Sequence, residues 1–60
     1  MTLVPPQALL PGDTVIIDNQ PLKVKIVDGP DHHDTFDLYL TSDSGDCHKI
    51  VSDAVQIVNE

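Results

Sequence analysis

The chain has no arginine or tryptophan, one glutamate, one cysteine, and only Phe36 and Tyr39 as aromatic residues. Each shortage excludes something. A single cysteine makes no internal disulfide, so this is not a stapled secreted miniprotein. Three lysines against ten carboxylates give a formal charge of −7, without the clustered basic residues that neutralise phosphates. Protonating all three histidines leaves the sign unchanged, so direct binding to nucleic acid is excluded. No run approaches the roughly 20 apolar residues of a membrane span, and no membrane partner is expected. Strong helix formers are scarce as well, with two Ala and one Met.

Against these shortages stand seven Val, five Ile and four Thr, the β-branched residues that favour strands. Nine of the ten acidic residues are Asp, the carboxylate of turns and caps. The composition therefore predicts an all-β protein whose acidic excess sits largely in turns and keeps it soluble. Sixty residues make one domain, near the lower limit for a single core that folds unaided. The start carries no basic leader region, and Pro5, Pro6 and Pro11 interrupt its apolar residues. A cytoplasmic location with a reduced thiol is expected. Met1 and the absence of repeats or low-complexity tracts read as a complete small gene product.

Residues 1–11 are expected to be an extended N-terminal segment, because their prolines disfavour a helix or a central strand. Leu3, Val4, Leu9 and Leu10 are too many apolar side chains for a free tail. The segment either packs across the domain or is ordered by a second copy of the chain. Strands are predicted at 13–18, 22–28, 35–41, 46–51 and 54–58, the last entered through a 3₁₀ turn. Leu22, Val24 and Ile26 alternate with polar or outward residues, as in a half-buried strand. Asp18-Asn19-Gln20-Pro21 makes the first hairpin turn, with Asn19 left-handed. Ser42-Asp43-Ser44-Gly45 makes another. Five short strands with a turn at each junction predict a small five-stranded barrel over residues 12–60, since closure removes exposed edges. The expected core is Val15, Ile17, Leu22, Val24, Ile26, Phe36, Leu38, Leu40, Ile50, Val55 and Ile57.

The run Pro11-Gly12-Asp13-Thr14-Val15-Ile16-Ile17-Asp18-Asn19-Gln20-Pro21-Leu22-Lys23-Val24 resembles the opening hairpin of the SH3-like barrel in the N-terminal domain of elongation factor P-type translation proteins. The resemblance covers about residues 11–58 and implies an SH3-like barrel. Those factors carry a basic, glycine-rich loop with a functional lysine after the second strand. Here that loop reads Gly29-Pro30-Asp31-His32-His33-Asp34, acidic and without lysine. The resemblance therefore implies the fold and none of the function.

Asp31, His32, His33 and Asp34 form the densest group of potential ligands, and His48 beside Cys47 is the third imidazole. The residue types suit zinc, but adjacent histidines project differently and no paired ligand spacing is present. No metal or other cofactor is assigned. Cys47 and His48 point to opposite faces of a strand, so they do not form a nucleophile–base pair, and Cys47 is expected in or near the core. No nucleophile elbow or phosphate-cradling loop occurs, and no enzyme is expected. Tyr39 and Asp37 are expected on the outer face of the third strand, with Lys23 and Lys25 outward on the second.

The function expected is that of a non-enzymatic, acidic protein-interaction module whose partner is another, basic protein. Tyr39, Asp37, Asp31, Asp34, His32, His33, Leu9 and Leu10 are its candidate contact residues. Small acidic proteins of this kind are typical of phages and mobile elements, where they modulate a host factor. Two alternatives use the same features. The spaced aspartates could imitate a phosphate track and inhibit a DNA- or RNA-binding protein, or the N-terminal segment could hold a structural homo-oligomer together.

Overall fold

A computed structural model describes residues 2–60. The chain is all-β, as its composition requires. Among the described residues there are six strands: β1 (Thr2–Val4), β2 (Thr14–Ile17), β3 (Gln20–Asp28), β4 (Thr35–Ser42), β5 (Gly45–Ser52) and β6 (Ile57–Asn59). A single 3₁₀ turn spans Pro6–Ala8, between the first two strands. All strands join one antiparallel sheet in the order β1-β6-β2-β3-β4-β5. The sheet is not closed by strand pairing, because β1 and β5 are its two ends.

Five strands were expected and six are found. The extra one is β1, made by the N-terminal segment, which pairs Leu3 with Val58 at the sheet edge. Pro5 ends it, and the 3₁₀ turn swings Leu9 back into the core. The segment thus packs across its own domain. The last strand begins at Ile57, later than expected. Ser52 accepts a bond from the Val55 amide, so a turn occupies the residues before it.

Asp18 (φ 53°) and Asn19 (φ 63°) are both left-handed between the paired Ile17 and Gln20. Two such residues give a hairpin turn whose twist matches that of its strands. β3 then pairs with β4 through an irregularity. Val24 faces Leu40, but Ile26 faces Tyr39, so Lys25 is an extra residue. A bulge of this kind reverses the side-chain alternation beyond it.

The core is Leu9, Val15, Leu22, Val24, Phe36, Leu38, Leu40 and Ile57, with Val4, Ile17, Val27 and Val51 packed against it. Three expected core residues lie outside. Ile26 is turned out by the bulge, and Val27 takes its place against the core. Ile50 pairs with Asp37 on the outer face of β5. Val55 sits in the turn before β6 and is also exposed. Cys47 opposes buried Leu40, on the inner side of β5, yet is exposed. It lies on the last strand of the sheet, where less of the molecule covers it.

Candidate functional site

The bulge at Lys25 and the register of β4 with β5 assemble an outer face from three strands. Ile26, Tyr39 and His48 form one row across β3, β4 and β5, and Asp28, Asp37 and Ile50 form the next. Side chains directly opposite on one face of a sheet lie close enough to interact. The Tyr39 and His48 rings stack with centroids 4.6 Å apart and planes 9° from parallel. His48 Nε2 lies 3.1 Å from Asp37 Oδ1, so the imidazole donates to the carboxylate while its ring covers the tyrosine. This contact holds the Tyr39 ring against β5.

The face is apolar at its centre and charged around it. Ile26 is 55% exposed, Ile50 66% and Tyr39 38%. At one border Lys25 Nζ bonds Asp46 Oδ2 at 2.9 Å. That bond, with a second from Thr41 and the ammonium charge, holds the Asp46 carboxyl below its ordinary range. Both side chains are solvated, so the pair orders the border more than it stabilises the fold. At the other border, Ile26 lines a cleft of about 370 Å³ whose remaining walls include Leu10, Pro11 and Pro30. The apolar surface thus runs from Leu10 through Ile26 and Tyr39 to His48.

Asp31, His32, His33 and Asp34 are all exposed in the β3–β4 loop. Asp31 organises that loop. Its Oδ1 accepts from the amides of His33 (2.8 Å) and Thr35 (3.1 Å), and its Oδ2 accepts from Thr35 Oγ1 (2.8 Å). These bonds, the one from the Thr35 hydroxyl foremost, lower the Asp31 carboxyl to about 2. Asp34 is left-handed (φ 58°), and its carbonyl accepts from the Asp53 amide. The His32 and His33 rings lie against each other, centroids 3.9 Å apart. Among the described residues no three His, Cys, Asp or Glu side chains converge as a metal site; His48 is engaged with Asp37 and Tyr39.

The expected contact residues therefore divide. Tyr39 and Asp37 stand together on the outer face, and Leu10 reaches its cleft. Leu9 is only 3% exposed; the 3₁₀ turn directs it into the core, where it forms the floor of that cleft. Ile26, His48 and Ile50 belong to the face but were not among the candidates. The alternation of β3 points Ile26 to the core, and the bulge breaks that alternation. Asp37 and His48 are eleven residues apart with no local signal of their contact. Compared with protein-family models, curated proteins and solved structures, the chain matches none of them.

Proposed function

We propose that the protein is a non-enzymatic interaction module of SH3-like, barrel-type architecture that binds another protein through the outer face centred on Tyr39. The observation that carries this reading is the row Ile26–Tyr39–His48, three exposed side chains in register across three strands. An aromatic ring held by a neighbour costs little further ordering when a partner covers it. Aromatic anchors ringed by polar groups are where binding energy concentrates. The bent sheet supports the barrel-type reading: Lys49 on β5 reaches Asp18, at the end of β2, with Nζ to Oδ2 at 3.4 Å. The elongation factor P likeness is kept as a likeness of architecture. The charge of −7 favours a basic partner and speeds encounter with it at low salt; a host factor bound by a phage or mobile-element protein would fit.

The test compares wild-type protein with Tyr39→Ala as baits on one lysate, with circular dichroism confirming that both fold. Proteins retained by wild type should fall at least about tenfold with Tyr39→Ala and should persist when salt is raised. An unchanged set with Tyr39→Ala removes the tyrosine face from the function. Loss of the whole set at moderate salt, with competition by DNA or RNA, would instead establish the phosphate-mimic alternative.

A further inference from the structure

The two ends of the sheet are built differently. β1 is three residues long and is followed at once by Pro5 and Pro6, two common ways of protecting an edge from further pairing. β5 is eight residues long, contains no proline, and pairs with β4 on one side only. Pairing with β4 starts at Ser42–Gly45, beside the two-residue turn. The alternation of an antiparallel ladder then aims the backbone N–H and C=O of Asp46, His48 and Ile50 away from β4. No other backbone group among the described residues bonds to these three.

The space beside this edge is also unfilled. Two clefts of about 300 and 200 Å³ share Ile17 and Lys49 as walls and lie between β5 and β2. Cys47 lines one of them and Val51 the other. The Lys49–Asp18 pair spans the gap.

We propose that β5 receives an extended segment of a basic partner protein as a seventh strand, whose residues alternate between apolar and basic. This rests on the protein-interaction reading above and specifies the partner's chemistry. The added strand would meet the backbone groups of Asp46, His48 and Ile50, as in other cases of strand addition to an open edge. Its inward side chains would lie beside Cys47, Val51 and the Lys49 stem, which suits apolar residues. Its outward side chains would lie beside Asp46, with Asp37 one strand further, which suits Lys or Arg. A second copy of this chain is disfavoured as occupant because it brings another −7 to the same edge.

The test uses the full chain and a blocked eight-residue peptide of alternating valine and lysine, followed by NMR. Binding should slow exchange of the Asp46, His48 and Ile50 amides about tenfold, leaving Cys47 and Lys49, already bonded to β4, unchanged. The same peptide N-methylated at every residue should not bind, and a valine–glutamate peptide should bind at least about tenfold more weakly. Ile50→Pro removes an outward N–H but no ladder bond, and should abolish binding with the Leu38 and Leu40 resonances in place. Tyr39→Ala should still bind this peptide, so failure of the edge is read separately from failure of the tyrosine face. No binding of the parent peptide, or equal binding of its N-methylated form, overturns the proposal. So does concentration-dependent protection of the same amides in the chain alone, which would make the edge a self-association site.

Discussion

Asp31 and Gly29 show how much of the β3–β4 loop depends on single residues. The Asp31 carboxyl titrates near 2 in the folded chain, below its ordinary 3.8, because the Thr35 hydroxyl and the His33 and Thr35 amides bond its ionised form. A lowered folded value means that the contribution is present above the unfolded value and is lost as pH falls toward the folded one. Acidification from about pH 4 to pH 2 should therefore release the His33 and Thr35 amides, seen as a loss of their protection relative to the intrinsic exchange rate at each pH, and Asp31→Ala should reproduce the effect at neutral pH. Gly29 has φ +134°, and a Cβ there would sit 2.9 Å from the Thr35 carbonyl oxygen and 3.2 Å from Phe36 Cα. Gly12 also has positive φ but open space around it. Gly29→Ala should cost about 2 kcal/mol or more in denaturant unfolding, and Gly12→Ala clearly less.

At the scale of elements, the β3 bulge decides which side chains face outward and which support the fold. Ile26 lies outside, so Ile26→Thr should leave stability within about 0.5 kcal/mol while weakening partner binding. Leu38, on the adjacent strand, is fully buried. Leu38→Ala should cost about 3 kcal/mol through lost burial and the cavity left behind, enough to unfold much of so small a protein. Chemical denaturation of the two variants tests the contrast, and similar losses for both would place Ile26 in the core. β5 differs from the central strands because only one of its edges is paired. Its sequence, Gly45-Asp46-Cys47-His48-Lys49-Ile50-Val51-Ser52, has no clean alternation to mark an inner side.

For the whole molecule, the accessible surface of 3952 Å² is close to the roughly 3,800 Å² expected of a compact monomer of this mass. The Cα radius of gyration of 10.5 Å likewise matches the roughly 10.4 Å expected at this length. The N-terminal segment contributes to that compactness, since Pro6 and Leu9 are buried and β1 covers the edge of β6. Deleting residues 1–10 should therefore abolish cooperative thermal unfolding. If the segment served only to join subunits, the truncated chain would instead remain a folded monomer, which sedimentation and circular dichroism together would reveal.

Much of the architecture was legible in the residues themselves. The excess of Val, Ile and Thr over helix formers specified an all-β chain; Ser42-Asp43-Ser44-Gly45 marked its hairpin turn, and Asp18-Asn19-Gln20-Pro21 marked the other, although Gln20 and Pro21 already pair in β3. Alternation placed Leu22, Val24, Phe36, Leu38 and Leu40 inside, and Tyr39 outside, because those stretches obey the two-residue period of a strand. Three things were decided only by the tertiary structure. The bulge at Lys25 exchanged Ile26 for Val27, since register depends on the neighbouring strand as well as on the strand's own pattern. Leu9 went to the core while Leu10 stayed outside, a choice made by the 3₁₀ turn that aims them. The contact of Asp37 with His48, and through it the stacking on Tyr39, exists only because β4 and β5 pair in one register. Local pattern fixes which residues can form strands; only the pairing of strands fixes which side chains meet.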